Sequence, residues 1–485
     1  MSTPTSALSH LMDSVQTLPN LLTTYVISIV ATYLTGVWGL SIVSVAAIIN
    51  LYSGIVSIMP LGLKFVVDAF IGNYGNVLLS RYAFTAGFVL LTMSTPPVLS
   101  WATGTCSTDD PECVGQVQKL LFNVALPLIA VAVSCHKTSG LTYRLKSFLN
   151  EKSPSKGAGF YCEAVLGFVL LLFVPLVSLG AIGYIKPWPV KFGIPAIFIV
   201  VSLILFLINS GSYQPQTRAE WSLLGATVFR KKDSRSILSL IPVSISFILL
   251  GVVSSLGNTF FIEQAVDMDH YVGSLWVPII ILPVFQHSYK KKRAISFGLN
   301  PNLGIAFSMV FAILSCITAA RVETRRLGVI TSQDENNEET IPMTMFWLLP
   351  QFLLLGLSEA ISGKSIADFF CNELVLEPND VEATRESNRK YMEFLAQALS
   401  GVGIIFCLLL VSIVRDVTAA NGGTSWFGNT VNTSRLDKYY WTLAALSAAN
   451  LVLFGVVISS HHLCGKSRSV DDEQPYFSTI VPLIA

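Results

Sequence analysis

Apolar residues in this chain neither alternate with polar ones nor recur in a single helical stripe. They come in long, almost unbroken runs. A helix that crosses a bilayer needs about 20 mostly apolar residues, and about twelve runs approach that length. They lie at 20–40, 41–63, 80–101, 117–140, 160–184, 192–210, 238–262, 272–287, 303–321, 343–366, 392–414 and 439–461. The run at 272–287 is the shortest of them. The pattern predicts an all-α membrane protein, with polar loops joining spanning helices.

The polar positions between the runs are not evenly charged. Basic residues cluster at Arg144, Lys146, Lys152 and Lys156, at Arg230, Lys231, Lys232 and Arg235, and from Lys290 to Arg293. With a cytosolic N-terminus, about 20 of the 31 Lys and Arg fall on the cytosolic side and about nine on the other. This bias places both termini in the cytosol. The basic stretch 212–237 separates six runs from six. The expected division is an N-terminal half 1–211, a connecting loop 212–237, a C-terminal half 238–465 and a cytosolic tail 466–485. Two six-helix halves suit a pseudo-symmetric transporter with its site between them.

Composition agrees. The chain is 52% hydrophobic and 13% charged, where a soluble protein carries about 25% charge. Net charge is +1, and no basic face marks a nucleic-acid partner. The first 20 residues lack a basic n-region and a cleavage site, so no removable signal peptide is expected. The eight cysteines form no CxxC and no metal-ligand spacing. Most lie in or beside apolar runs, as small apolar filler. Cys106 and Cys113 share one polar loop on the side opposite the termini, where a disulfide is allowed. Asn432 opens a glycosylation sequon on that same side. No nucleophile–base pairing, metal set or phosphate loop points to an enzyme, and no cofactor is implied.

Charges inside apolar runs are costly and mark function or a partner. Three stand out: Lys137, Glu359 and Lys364. Lys364 has Asp368 four residues on, along the same helical face. Glu359 lies about 15 residues into its run, and Lys364 is about 140° round the helix from it. Lys137, in the fourth run, is a partner from the other half. Three readings stand: a static Lys137–Glu359 tie between the halves, a Glu359 kept protonated by its apolar setting, or a carboxylate that titrates and frees the ammonium for an anionic group. Ser254 and Asn258 line a cavity or serve as interhelical glue. Asp68, with Gly72 four residues on, suits a tight gate-loop turn. His136 is read as a packed neighbour of Lys137 rather than a relay.

At these residues the chain resembles the plant nitrate/peptide transporters, within the proton-dependent oligopeptide transporters of the major facilitator superfamily. The resemblance runs from about residue 30 to 462. It rests on NTSRLDKYYWTLAALSAANLVL at 432–453, with YLTGVWGLS, AAIINLYSG, VVDAFIGNYG, FGIPA, NTFFIEQAVDMD, AARVETRRL and IPMTMFWLLPQFLLLGLSEA in family order. It implies a twelve-helix secondary transporter of small anionic or zwitterionic solutes, working as a proton symporter and a monomeric unit in the plasma or vacuolar membrane. It assigns Glu359 and Lys137 to the salt-bridge exchange that links proton movement to gating. The chain also departs from the family. The Glu-x-x-Glu-Arg of the first helix falls on Gln16, Pro19 and Asn20. Ser254 stands where the nitrate site has a His. Asn73 replaces the Arg after the loop glycine, and the central loop is short. These departures favour an uncoupled facilitator, an efflux carrier or a non-transporting sensor as alternatives.

Overall fold

The structure is a computed structural model. It describes Pro19, residues 22–103, 113–139, 184–208 apart from Lys186, 240–291, 300–332, 341–374, 382–420 and 425–472. The fifth run, the connecting loop 212–237, Cys106 and the end of the tail lie outside the described residues.

The first half contributes α1 (Leu22–Gly36), α2 (Ile42–Val66), α3 (Gly72–Met93), α4 (Pro96–Thr103), α5 (Gln116–Thr138) and α6 (Trp188–Ile208). The second contributes α7 (Ile241–Ser254), α8 (Phe260–Val266), α9 (Ile281–Lys291), α10 (Pro301–Ser332), α11 (Leu349–Leu374), α12 (Glu382–Ala420) and α13 (Leu436–Asp472). Among the described residues, nine helical stretches are long and apolar enough to cross a membrane. Four short strands lie between helices: β1 (Met268–Asp269), β2 (Tyr271–Val272), β3 (Leu275–Trp276) and β4 (Ile341–Thr344). β1 pairs with β4 in parallel, and β2 with β3 as a hairpin.

Local sequence explains where the helices start and stop. Gly39 turns the chain at φ 62°, a conformation other residues avoid, and Ser41 then caps α2 by accepting from the Ser44 N–H. α2 runs on through one π-helical turn, Val67–Ile71, which Gly72 ends at φ 72°. The third run had been placed at 80–101. The helix instead occupies Gly72–Met93 and stops before Pro96 and Pro97, which start α4. The seventh run is not one helix either. It breaks into α7, a 3₁₀ turn Ser255–Asn258, and α8. The eighth run, 272–287, differs most. Gly273 at φ 63° folds its start into the β2–β3 hairpin, and only Ile281–Lys291 is helical.

Each half has its own core. Tyr33 of α1 packs on Trp188 and Phe192 of α6, with centroids 5.1 and 5.2 Å away. Asn76 and Ser80 of α3 donate to the Cys135 and Ala132 carbonyls of α5 at 2.9 and 2.8 Å. In the second half Phe261 packs on Phe352 and Tyr440, and Tyr439 on Phe260 and Phe427. Ile42 and Ala46 of α2 join the second core.

α12 is the helix both halves share. Gly401 meets Gly54 of α2, and Gly403 meets Gly251 of α7, backbone against backbone. A methyl at Gly401 would lie 2.9 Å from the Gly54 carbonyl oxygen. One at Gly403 would lie 2.8 Å from the Gly251 Cα. The bundle then has two ends. One gathers Trp38, Cys113, the β2–β3 hairpin and residues 425–435, where the Ile42 N–H donates to the Asn429 carbonyl at 3.2 Å. The other gathers Lys64, Asp68 and Tyr391. Gly403→Ala is expected to destabilise by about 1–3 kcal/mol, because neither backbone can retreat. Gly455→Ala, with open space around it, should be within about 0.5 kcal/mol of the parent. Thermal unfolding of the purified protein in detergent checks both.

Candidate functional site

Glu359 sits in the middle of α11, half-buried, and its carboxylate joins three elements. Oε1 accepts from the Ser254 hydroxyl, at the end of α7, and from Gln286 Nε2 of α9 at 3.2 Å. Gln286 is fully buried. Two glycines make room for it. A methyl at Gly257 would lie 2.6 Å from Gln286 Oε1, and one at Gly356 2.9 Å from the Gln286 Cα. Hydrogen bonds to a carboxylate are about twice as strong as neutral ones, so the cluster holds the broken seventh span against α9 and α11. Ser254 therefore binds Glu359. Asn258 lies at the end of the 3₁₀ turn, half-buried. Gln286 was not singled out in the sequence. Its signal was a lone amide in the short, poorly bounded eighth run.

Lys137 lies in the last turn of α5. Its Nζ donates to the Val56 carbonyl of α2 at 3.4 Å. A direct Lys137–Glu359 pair belongs to the proposal below. The structure adds a cation that run boundaries had hidden. Arg81 falls inside a span, Tyr74–Met93, once α3 is placed correctly. It is 1% exposed, donates to Ser202 Oγ of α6 at 2.5 Å, and lies 5.8 Å from the Phe206 ring centre. Placed at residue 80, the third run made Arg81 look like a residue at a helix mouth. His136 packs edge-on to Phe84 at 6.2 Å.

At the Asp68 end, the π turn aims Asp68 across the halves. It pairs with Lys64 at 2.5 Å and accepts from the Tyr391 hydroxyl of α12 at 2.5 Å. Phe65 stacks on the Tyr391 ring at 4.9 Å. Gly72 is needed for its positive φ, since no side chain approaches it. Asp68 is thus an interhelical acceptor as well as part of a turn. On α11, Asp368 accepts from Arg389 of α12 at 3.1 Å.

At the opposite end a polar chain with a buried centre links α8, α10, α11 and the loop 425–435. Arg326 grips Glu323 with two bonds of 2.8 Å, both side chains fully buried. Gln264 Nε2 donates to Glu323 at 2.6 Å, and Gln351 Nε2 donates to Gln264 at 3.2 Å. Arg326 also donates to Asn432 Oδ1, whose Nδ2 donates to Asp267 at 2.9 Å. Asn432, the possible glycosylation site, thus bonds both Arg326 and Asp267 and holds its loop to α10. Cys113 is disulfide-bonded. Cys106, its expected partner, is outside the described residues. Among the described residues no cluster of His, Cys, Asp and Glu is suited to a metal.

Comparison with known proteins places these features. The POT family profile matches residues 216–384. Protein NRT1/PTR FAMILY 5.5 of Arabidopsis thaliana is 30% identical, over 91% of this chain and 94% of that protein. Protein NRT1/PTR FAMILY 5.10 of the same plant is 25% identical, over 89% and 88%. The solved POT family transporter PepTSo superposes with a TM-score of 0.59 at 12% identity, covering 93% of this chain and 97% of that one. An auto-inhibited POT family peptide transporter gives 0.57 at 13%, covering 92% and 96%. The fold is therefore that of the major facilitator carriers.

Asn432→Ala leaves a fully buried guanidinium short of an acceptor, which costs about 1–3 kcal/mol. The variant is expected to melt lower than the parent by that margin. Glycosidase treatment of protein made in a eukaryotic host should leave the parent's gel mobility unchanged at this position.

Proposed function

We infer, from the premise that this chain belongs to the NRT1/PTR family, that it is a proton-coupled carrier working by alternating access through Glu359. As a family member it is a multi-pass membrane transporter and not an enzyme. The observation that carries the mechanism is the Glu359 cluster, in which one carboxylate ties the broken seventh span to α9 and α11. A group on α11 held by donors from two other elements reports its own charge to all three. Ionised, Glu359 keeps the two donors in place. Protonated, it weakens both bonds and lets α7 move against α11.

Lys137 supplies the complementary charge. In this reading it pairs with Glu359 in one state and is freed in another, when its ammonium meets one negative group of the solute. The solute is then small and anionic or zwitterionic, with nitrate, short peptides and other plant metabolites as the classes to screen. The names of the similar proteins support that range. Two six-helix halves, divided near residues 212–237, rock about the site. The Asp68–Tyr391 contact closes the Asp68 end and is broken when that end opens. Both termini are placed in the cytosol, a Cys106–Cys113 disulfide on the other side, and the unit of transport is a monomer in the plasma or vacuolar membrane.

A second reading has one sequence feature in its favour. The first span lacks the family's charged motif, with Gln16, Pro19 and Asn20 at its positions, so an uncoupled facilitator is the alternative. Uptake into proteoliposomes separates the two. Nitrate and a dipeptide are compared at equal pH and with the outside made acid. Accumulation above equilibrium under the acid gradient supports coupling, and equilibration indifferent to the gradient supports the facilitator.

Three variants extend the test. Glu359→Gln is expected to lose gradient-driven accumulation while still exchanging labelled for unlabelled solute. Lys137→Ala should lose uptake altogether with its thermal stability largely kept. Tyr391→Phe removes one bond, worth about 1–3 kcal/mol to a charged acceptor, so the Asp68 end should become more accessible to a water-soluble thiol reagent. A cysteine introduced at Phe70 reads that change.

A further inference from the structure

The break after α8 contains a titratable ring that the Glu359 mechanism does not use. His270 follows β1, half-buried, outside every membrane-length helix. Both of its ring nitrogens face carbonyl oxygens. Nδ1 lies 3.2 Å from the Val277 carbonyl and Nε2 lies 3.3 Å from the Val266 carbonyl. A neutral imidazole has one N–H and one lone pair. It satisfies one of these carbonyls and turns its lone pair on the other. An imidazolium donates to both.

Two further features surround the ring. The ring stacks on Trp276, with centroids 5.6 Å apart and planes 29° apart, and an indole face attracts positive charge. The ionisable groups nearby are mostly acidic. Asp267 is bonded by Asn432, Asp269 accepts from the Tyr271 N–H at 2.9 Å, and Glu263 lies on α8. β3 and β4 carry no ionisable side chain, and Tyr271 and Tyr184 are phenols. On α9 the nearest ionisable group in the chain is His287, whose Nδ1 lies 2.8 Å from the Pro283 carbonyl.

Trp276 is also where the two halves touch. Tyr184, just ahead of α6, donates its hydroxyl to the Trp276 carbonyl, and the two rings pack at 5.0 Å. The His270 carbonyl accepts from the Val277 N–H at 3.0 Å, so its main chain and its ring both anchor the base of the hairpin.

We propose that His270 is a proton-binding site at the Cys113 end of the carrier, separate from Glu359, whose imidazolium ties the end of α8 to the β2–β3 hairpin and holds Trp276 in place for Tyr184. Losing the proton removes one of the two struts. The hairpin loosens, and with it the contact between the halves. Acid on this side then favours closure of this end. Its effect on gating rests on the alternating-access reading, whereas the proton site itself does not.

The test therefore needs no substrate. Protein labelled with ¹⁵N in its histidine rings is reconstituted in lipid, and the His270 signals are assigned by their loss in His270→Gln. At about pH 5.5, within the range where histidine changes charge, both His270 nitrogens should carry protons. At about pH 8 one should not. Hydrogen exchange of residues 268–277, corrected for the intrinsic pH dependence, should be slower on the acid side by about tenfold, the worth of one bond from a charged donor. His270→Phe keeps a ring against Trp276 and removes both donors, so it should abolish that difference. One protonated nitrogen at both pH values, or equal corrected exchange in the parent, overturns the proposal. So does a Phe variant that keeps the parent's pH response. If the Phe variant does not fold, the ring-nitrogen spectra of the parent decide the matter. Transport that proves independent of pH would defeat the coupling reading and leave these spectra unaffected.

Discussion

Everything in this bundle depends on α12 being thin where it passes between the halves. At Gly401 its backbone rests on Gly54 of α2, and two residues on at Gly403 it rests on Gly251 of α7. At these glycines the helix backbones approach closely, with Ile405 packed over Gly54. Contacts of this kind gain dispersion and bring backbones close enough for weak polar contacts, which is how helices associate where lipid offers no hydrophobic drive. The same helix carries Tyr391 to Asp68 of the first half at one end. Near its other end Cys407 lies 3.6 Å from the Tyr439 hydroxyl of α13. A helix that touches both halves by backbone can let them pivot without unpacking a layer of side chains.

Polar groups have been distributed accordingly. At the Cys113 end, Gln264, Glu323, Arg326, Asn432 and Asp267 form a connected chain around one bidentate ion pair. Such a network is costly to bury and costly to break, which suits a part that does not change. The Glu359 cluster is looser. Two donors from α7 and α9 meet one oxygen, and adding or removing one proton changes both bonds at once. Among the cross-half contacts, Asp68–Tyr391 and Tyr184–Trp276 lie at the two ends, on either side of the close Gly54–Gly401 approach. In the proposed mechanism these contacts serve as rigid halves, a titratable centre and seams that open.

Much of this was legible in the apolar runs. Their length gave a membrane bundle, and Glu359 stood out because a carboxylate inside a run is expensive. Run boundaries were the weak point. Treating 80–101 as the third span hid Arg81 at its edge, and treating 272–287 as a span hid a hairpin whose turn depends on Gly273. Both errors have one cause: hydropathy sees composition, whereas Pro96, Pro97 and Gly273 act through the backbone. The sequence marks Lys137 as a cation within an apolar run, and the structure gives one of its bonds, to the Val56 carbonyl. Side-chain partners across helices depend on rotation about each axis, which a featureless apolar run does not encode. Asn432 matched a sequon, yet a three-residue motif cannot show that its amide is already shared between Arg326 and Asp267.

The central claim is that protonating Glu359 exchanges which end of the bundle is closed. Distances between spin labels at Phe70 and Glu393, and between labels at Val117 and Tyr271, read the two ends directly; all four side chains are exposed. Measured in lipid at neutral and acid pH, the two distances should change in opposite senses. Glu359→Gln, fixed in the neutral form of the carboxyl, should resemble the acid state at both pH values. Distances that stay fixed, or that lengthen and shorten together, would contradict the account.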